Sequence, residues 1–255
     1  MAVIRKVALI SYLDTVPFIY GIRHGLDHRV ELLLTTASES IRLFREGEVD
    51  VALLPPHACK EFPEARILTS YCISSLRESR NIILACDKPV QQLERIILDD
   101  FGPIGRGPVS YIARSLWRSN AEIVAREALP TDYVVTDNDG EIIVGDQALH
   151  QSTGHRYRID LGEEWYRSTR LQLITGVWVA QKQISPEEID RFERALTLGI
   201  EHTWEAIVEA GYESWPEAYG QLTETIDYLY DEQKEKALKK IWSIGLKVSP
   251  HANPG

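Results

Sequence analysis

The sequence predicts an α/β protein of two lobes with a ligand cleft between them. Strand and helix signals alternate over the first 54 residues, an order typical of a mostly parallel sheet. A second block of strand and helix signals starts near residue 81, and no Pro-, Gly- or Ser-rich linker separates the two blocks. An apolar run at 171–180 then predicts a long strand along which the chain crosses back to the first block. We therefore expect an inserted lobe, with residues 1–84 and 175–255 in lobe 1 and residues 85–174 in lobe 2.

The first lobe is predicted from three apolar runs with turn residues between them. These runs predict strands at 7–10, 30–34 and 49–54, and helices at 17–25 and 38–46. Thr36 and Glu39 have capping-box spacing at the start of the second helix, and Gly47 follows its end. The third strand is continuously apolar, as expected of a parallel strand covered on both faces, and Pro55 closes it.

The second block predicts further strands around a glycine-rich turn. Strands are expected at 81–86, 95–98, 133–135 and 141–144, with a helix at 109–118. The turn spans 102–107, and Pro108 stands at the expected first helical position. Beyond the return strand the chain is predicted to be helical to its end. One helix begins after Ser185, and another spans 231–246.

Composition narrows the possible partners. The formal net charge of −10 argues against nucleic acid or an anionic membrane surface, while a few local arginines would still allow a small anionic ligand. No apolar run approaches the ~20 residues of a membrane span, and the polar start does not resemble a signal peptide, so a cytoplasmic location is expected. Three scattered cysteines and seven dispersed histidines favour neither disulfides nor a metal site. The oligomeric state stays open between monomer and homodimer.

The most informative segment follows the first strand. Ser11, Tyr12, Asp14 and Thr15 form a polar turn, and Pro17 opens the next helix. Backbone N–H groups at a helix start are unpaired and carry partial positive charge, so such a turn can bind an anion. The alternative is an ordinary strand-to-helix loop with a capping residue.

Several motifs together resemble a known family. Residues 10–18 read ISYLDTVPF and resemble the I-S-Y-L-N-T-x-P opening of the chorismate dehydratase (MqnA) family of menaquinone biosynthesis. The resemblance continues, in the family's order, at 46–55, 144–148 and 160–166, and residues 225–230 resemble the family's last helical region. It implies a type 2 periplasmic-binding-protein-like fold. It also implies loss of water from chorismate, giving 3-[(1-carboxyvinyl)oxy]benzoate in the futalosine route, with neither metal nor organic cofactor.

The chain departs from the family pattern at three places. Asp14 stands where the family has Asn, and Asn81 stands where it has Ser. Residues 101–110 replace an S-R-T-S motif, and only Arg106 and Ser110 can be matched to it. Three hypotheses follow: an active enzyme, a weakened one, or a non-catalytic or altered-specificity relative that binds another small aromatic or cyclohexadiene carboxylate.

Asp14 is the candidate catalytic residue. A protonated Asp14 could act as general acid toward the leaving hydroxyl, provided that burial raises its pKa well above the reference of ~3.9. Asp14 could instead only cap the helix near Pro17. His57 has no Ser or Cys partner in a triad pattern and is assigned no catalytic role.

The substrate implied by the resemblance is a small dicarboxylate. Arg106 is the leading candidate to bind a carboxylate, because a guanidinium can pair with it through two parallel hydrogen bonds. Gly107 allows close backbone approach. Arg77 and Arg80 precede the second block and either reach the cleft or lie in solvent. The remaining candidate binding residues are Tyr12, Thr15, Ser38, Asn81, Ser110, Asp146 and Trp178. Capping is the alternative for Ser38 and Asp146, and a core position is the alternative for Trp178.

Overall fold

Two β-sheets organise the chain. A computed structural model describes residues 3–26, 30–98, 102, 104–150, 154–181, 183–212 and 215–245. Its strands are β1 (Lys6–Ile10), β2 (Glu31–Thr35), β3 (Val51–Leu54), β4 (Arg66–Ser75), β5 (Ile82–Cys86), β6 (Arg95–Leu98), β7 (Glu122–Ala125), β8 (Asp139–Val144), β9 (Tyr157–Asp160), β10 (Leu173–Ala180) and β11 (Ile226–Leu229). Its helices are α1 (Val16–Gly25), α2 (Ala37–Arg45), α3 (Arg106–Ser115), α4 (Asp146–His150), α5 (Leu161–Thr169), α6 (Pro186–Glu201), α7 (Thr203–Glu209), α8 (Glu217–Gly220) and α9 (Glu232–Gly245).

Each sheet belongs to one lobe. The six-stranded sheet of lobe 1 has the order β11-β4-β10-β3-β1-β2, and the five-stranded sheet of lobe 2 has the order β7-β6-β8-β5-β9. Strand β1 runs parallel to β2 and β3, and β6 runs parallel to β7 and β8. Sheet membership changes between Ser75 and Ile82, and changes back between Asp160 and Leu173. The lobe boundaries expected from the sequence, at 84/85 and 174/175, remain predictions, because the sheets assign only the strands to a lobe.

Local sequence explains how the helices of lobe 1 begin. The Thr36 hydroxyl accepts the Glu39 N–H at 3.2 Å and caps α2, as its spacing predicts. The Ser185 hydroxyl accepts the Glu188 N–H at 3.3 Å at the start of α6. Each cap satisfies a backbone donor that a helix otherwise leaves unpaired.

An aromatic cluster fills the core of lobe 1. Phe18 of α1 meets Trp178 of β10 edge-on at 5.6 Å, and Trp178 meets Phe192 of α6 at 5.0 Å. Edge-to-face pairs of this kind add to the gain from burial. Trp178 is fully buried among these rings, which is the core position that the sequence left open for it. The strand turns this side chain toward α1 and α6, where apolar area is buried.

Several predicted elements differ from those observed. Residues 133–135 form no strand, and the Tyr133 hydroxyl donates to Asp139 at 2.6 Å. The strand between α3 and β8 is instead β7, which lies earlier in the chain. Helix α3 begins at Arg106 rather than after Pro108. Residues 226–229 form strand β11 rather than a helix, because they pair antiparallel with β4 at the edge of the sheet. Leu246, the predicted end of the last helix, lies outside the described residues. Among the helices of the described ranges, none is long and apolar enough to cross a bilayer.

Candidate functional site

The polar turns of the two lobes meet at one place, here called the interlobe cleft. Strands β1, β2 and β3 end at one edge of the first sheet, and β6 and β8 end at one edge of the second. Ligands of open α/β sheets bind outside the carboxyl ends of such strands. The segments that follow these strands contain most of the predicted site residues, and four contacts join the lobes there.

The first contact pairs Asp14 with Asn81. Asp14 lies in a 3₁₀ turn, Leu13–Thr15, directly before α1, and its side chain is almost completely buried. The Asn81 carboxamide donates to Asp14 Oδ2 at 2.7 Å, and the Tyr228 hydroxyl donates to the Asp14 carbonyl oxygen at 2.9 Å. Among the described residues, Asp14 Oδ1 has no hydrogen-bond partner. The structure therefore brings the two residues that depart from the family pattern into direct contact.

The environment of Asp14 favours its neutral form. Burial raises the pKa of the Asp14 carboxyl to about 6, because the charged form loses its hydration, and the nearby negative charge of Asp146 adds to the rise. A backbone hydrogen bond and the Asn81 carboxamide act in the opposite direction. With a pKa of about 6, the carboxyl is mostly protonated below pH 6 and holds its proton on about a tenth of the molecules at pH 7.

The second and third contacts come from the loop after β8. Asp146 accepts the Leu13 N–H at 3.0 Å through Oδ1, and its Oδ2 accepts from the Tyr212 hydroxyl. The neighbouring Gly145 packs against the Tyr12 ring, and a Cβ atom at Gly145 would stand 2.7 Å from that ring. Its φ of +67° also favours glycine. Asp146 and Tyr12 therefore hold the lobes together at the cleft.

Thr15 uses its hydroxyl inside the turn. Its Oγ1 accepts the Tyr12 N–H at 3.1 Å and lies 2.7 Å from the carbonyl oxygens of both Ile10 and Tyr12. The side chain is buried. These bonds fix the 3₁₀ turn that carries Asp14, while the start of α1 itself has no side-chain capping bond.

The fourth contact involves His57, which the sequence analysis left without a role. His57 follows Pro55 and Pro56 after β3, and a Cβ atom at Gly105 of lobe 2 would stand 2.6 Å from its ring. Burial lowers the pKa of His57 to about 4, so the imidazole is neutral at physiological pH. Within the described part of the chain its Nδ1 atom has no partner. The sequence did offer one signal for His57, which is its position after the third parallel strand. The segments after the first two strands were already identified as candidate parts of the site.

A cavity of about 360 Å³ adjoins this contact. Ser38, the second residue of α2, is exposed beside it, and its hydroxyl lies 3.0 Å from that of Thr36. His57 and Gly102 also line the cavity, so both lobes contribute to it. Phe101 and Pro103 of the predicted glycine-rich turn lie outside the described residues.

The second-lobe candidates occupy the first turns of α3. Arg106 is the first residue of this helix, and its exposed guanidinium donates to the carbonyl oxygen of Ile123 in β7. Gly107 follows it, and Ser110 lies one turn further along, half-buried. Arg106 is thus tied to a neighbouring strand through one of its donors and keeps others for a ligand.

The two arginines before β5 have local partners. Arg77 is exposed and lies 3.3 Å from the Glu163 carboxylate. Arg80 has a left-handed backbone with φ of +57°, and its guanidinium donates to Glu78 at 2.7 Å. In the structure as described, these carboxylates, and not Asp14 or Asn81, are the partners of the two guanidinium groups.

The fold and the cleft define the class of protein: a two-lobed α/β protein with the periplasmic-binding-protein fold. The family model for menaquinone biosynthesis matches residues 5–243. The chain belongs to this menaquinone biosynthesis family. No curated protein sequence matches it.

Solved structures support the fold. Protein AF1704 from Archaeoglobus fulgidus is similar with a TM-score of 0.71 at 18% identity, over 94% of this chain and 96% of that one. An ABC transporter from Parabacteroides distasonis gives 0.64 at 14% identity, over 98% and 94% of the two chains. The periplasmic aliphatic sulphonate binding protein SsuA from Escherichia coli gives 0.57 at 11% identity, over 95% and 86%. At these identities the likeness shows the fold alone.

Proposed function

We propose that this protein is a chorismate dehydratase, a hydro-lyase that forms 3-[(1-carboxyvinyl)oxy]benzoate and water. Membership of the menaquinone biosynthesis family supports a role in that pathway. One observation carries the specific reaction: a buried carboxyl at the cleft, with a raised pKa, has one oxygen bonded to an amide donor and the other unpartnered among the described residues.

The Asn81 bond decides where the proton of neutral Asp14 resides. Asn81 Nδ2 donates to Oδ2, so Oδ2 is the acceptor and the proton is carried by Oδ1. Oδ1 is the atom without a partner in the described structure. A substrate hydroxyl placed beside it would accept this proton as it leaves, which is general acid catalysis by a group whose pKa lies near the working pH.

The reaction balances without a co-reactant. The ring C–H bond beside the enolpyruvyl ether breaks, its electron pair forms the new ring double bond, and the neighbouring C–OH bond breaks. The hydroxyl takes the Asp14 proton and leaves as water. The substrate's own side-chain carboxylate takes the ring proton, which then returns to Asp14 through solvent. Aromatisation drives the step, so the protein mainly supplies geometry and one proton.

Binding of the dianionic substrate is assigned to the cleft edges. Arg106 offers guanidinium donors, with Gly107 and Ser110 beside it on α3, and Ser38 offers a hydroxyl from the start of α2. Tyr12, whose ring packs against Gly145, is the proposed aromatic contact for the substrate. Because the overall charge is −10, these local donors must outweigh a repulsive background.

The test mixes the purified protein with chorismate and follows diene absorbance together with chromatography of the benzoate product. Turnover is expected in the wild type, with a rate that falls as pH rises above about 6 because Asp14 ionises. Asp14→Asn should lower the rate about 100-fold or more and remove this pH dependence.

Asp190→Asn is the matched control, since Asp190 is exposed on α6 and pairs only with Arg194 in the described structure, and it should leave the rate unchanged. Tight chorismate binding without product would overturn the enzyme assignment in favour of a binding relative. An Asp14→Asn variant as fast as the wild type would remove the acid role.

A further inference from the structure

The segment that follows β8 in lobe 2 lies against the 3₁₀ turn of lobe 1, Leu13–Thr15, here called the Asp14 turn. Asp146, the first residue of α4, accepts the Leu13 N–H at 3.0 Å through Oδ1. Leu149 of the same helix packs against the apolar cluster that includes Leu13. One polar and one apolar contact therefore connect α4 to the residue directly before Asp14.

Both oxygens of the Asp146 carboxylate have partners in lobe 1. Oδ1 accepts from Leu13, and Oδ2 accepts from the hydroxyl of Tyr212, which lies beyond α7 in the chain. A carboxylate with a partner on each oxygen and a negative charge of its own is poorly suited to bind a dianionic substrate, because the two would repel each other. The observed contacts fit a role in holding the Asp14 turn.

Tyr212 is well suited to hold Asp146 in place, although no sequence motif pointed to it. Burial raises the pKa of the Tyr212 hydroxyl above its ordinary 10, and the hydrogen bond to Asp146 adds to the rise. The hydroxyl therefore keeps its proton and donates to a charged acceptor, which gives a stronger bond than one between neutral groups. The Tyr212 side chain packs against the same apolar cluster as Leu149, so packing and one hydrogen bond together fix where Asp146 lies.

Other hydrogen bonds to the Asp14 turn come from lobe 1 itself. The Tyr228 hydroxyl of β11 donates to the Asp14 carbonyl oxygen at 2.9 Å, and Thr15 Oγ1 accepts the Tyr12 N–H at 3.1 Å. Both partners belong to the lobe that carries the turn, so these bonds do not depend on where lobe 2 stands. The bond from Leu13 to Asp146 crosses between the lobes, so it is the one that lobe closure adds.

The same contact changes the charge around Asp14. The polar groups that face Asp14 are Asn81 at the start of β5, Tyr228 of β11, and Asp146 of α4 with Tyr212 beyond it. Asp146 is the negatively charged member of this set, since both tyrosine hydroxyls keep their protons. A like charge disfavours the ionised form of a neighbouring carboxyl. The contact that fixes the turn therefore also favours the proton on Asp14.

We propose that Asp146 and Tyr212 are positioning residues for Asp14, and that lobe closure completes the acid by bringing Asp146 onto the Leu13 N–H. When the lobes open, the Leu13 N–H and the Tyr212 hydroxyl lose this shared acceptor, and Asp14 loses a neighbouring negative charge. The acid is then assembled in the closed form, where a bound molecule is enclosed. The effect on turnover rests on the proposed reaction, whereas the effects on Asp14 and Leu13 do not.

Carbon-13 NMR of aspartate-labelled protein tests the effect of the Asp146 charge without any substrate. The Asp14 carboxyl resonance is identified by its loss in Asp14→Asn. In Asp146→Asn, which keeps the shape of the side chain but removes its charge, the titration midpoint of Asp14 should move to lower pH. Asp190→Asn, on the surface of α6, should leave the midpoint unchanged. An unchanged midpoint in Asp146→Asn would overturn the influence of Asp146 on the proton.

Tyr212→Phe tests the positioning, because it removes only the hydroxyl that holds Asp146. Exchange of the Leu13 amide hydrogen should become at least about tenfold faster, and Tyr219→Phe, at an exposed tyrosine of α8, should not change it. Equal exchange in the two variants would overturn the positioning role.

Kinetics with chorismate test the consequence for turnover. Tyr212→Phe should lower kcat at least about tenfold while KM stays within about twofold, because Tyr212 orients the acid without touching the substrate. An unchanged kcat, or a loss confined to KM, would contradict this consequence. A wild-type protein without turnover would overturn the proposed reaction alone, since the NMR and exchange measurements judge Asp146 and Tyr212 without chorismate.

Discussion

Asp14 and Asn81 form a hydrogen-bonded carboxyl–carboxamide pair, so the two departures from the family pattern are explained together. Read singly in the sequence, Asp for Asn and Asn for Ser are two departures from the family pattern. In the structure, the longer Asn81 reaches Asp14 Oδ2 at 2.7 Å and gives the buried carboxyl a donor. The pair joins the turn after β1 to the start of β5 by one hydrogen bond and places a titratable group beside the cleft.

Asp14→Asn is expected to change stability with pH in a defined direction. The folded-state pKa of about 6 lies above the ordinary 3.8, so the folded protein holds this proton more tightly than the unfolded chain. The contribution of the Asp14 carboxyl to the free energy of unfolding is therefore full below about pH 4. It is lost as pH rises to about 6, and the total loss is about 3 kcal/mol. Asp14→Asn should remove that slope and be more stable than the wild type at pH 8.

Urea unfolding at several pH values measures this effect, and Asp190→Asn should keep the wild-type slope because Asp190 is exposed. An Asp14→Asn protein with an unchanged slope between about pH 4 and 6 would contradict the assignment of this titration to Asp14.

A double-mutant cycle tests the pair itself. Asn81→Ser should destabilise the protein by about 1–3 kcal/mol, because the shorter side chain leaves Asp14 Oδ2 without its donor. Combined with Asp14→Asn, which restores the family's two residues, the loss should be smaller than the sum of the single changes by about 0.5–3 kcal/mol. Thermal and urea unfolding provide the four free energies. Additive effects would show that the two side chains do not interact.

At the scale of elements, helices α1 and α6 pack backbone to backbone. A Cβ atom at Gly199 would stand 1.8 Å from the Pro17 carbonyl oxygen, and one at Gly21 would stand 2.0 Å from that of Ala195. These glycines permit an approach that no larger residue allows. The close packing fixes α1, which directly follows the Leu13–Thr15 turn that carries Asp14, so the helix pair helps to position the cleft.

Gly199→Ala is therefore expected to destabilise the protein by about 1–3 kcal/mol, and more if α1 cannot shift. Gly220→Ala is the control, because its nearest neighbour outside the local chain would be a Glu224 carboxylate at 3.6 Å, an ordinary contact. Thermal unfolding compares the two. A Gly199→Ala protein as stable as Gly220→Ala would mean that the helices separate at little cost.

Sequence patterns predicted some elements better than others for a physical reason. Strands β1, β3 and β6 are short apolar runs buried on both faces, and composition alone reveals them. Strand β11 at the sheet edge mixes exposed and buried positions, and pairing with β4 makes it a strand. The strand β4 has a similar mixed first half and was not predicted.

At the scale of the whole molecule, side-chain contacts between the lobes hold the cleft in the arrangement seen. Asp146 is central, because its two carboxylate oxygens accept from Leu13 and Tyr212. Both partners belong to lobe 1, whereas Asp146 follows β8 of lobe 2. Lobe closure therefore depends on a few polar contacts as well as on shared apolar packing.

Asp146→Ala should shift the protein toward a more open form, because the Leu13 N–H and the Tyr212 hydroxyl both lose their acceptor. Small-angle X-ray scattering should report a larger radius of gyration than for the wild type. Asp190→Ala, on the surface of α6, should leave it unchanged. Equal radii for Asp146→Ala and the wild type would show that apolar packing alone keeps the lobes together.

The sequence by itself determined the two-lobed α/β fold and the family, because apolar periodicity and ordered motifs are local properties of the chain. It also indicated the turn with Asp14 as a cleft wall. Only the tertiary structure decided which residues meet there: Asn81 on Asp14, Asp146 on Leu13, and His57 on Gly105. These partners lie far apart in the chain, and burial, which sets the pKa values of Asp14 and His57, exists only once the lobes have packed.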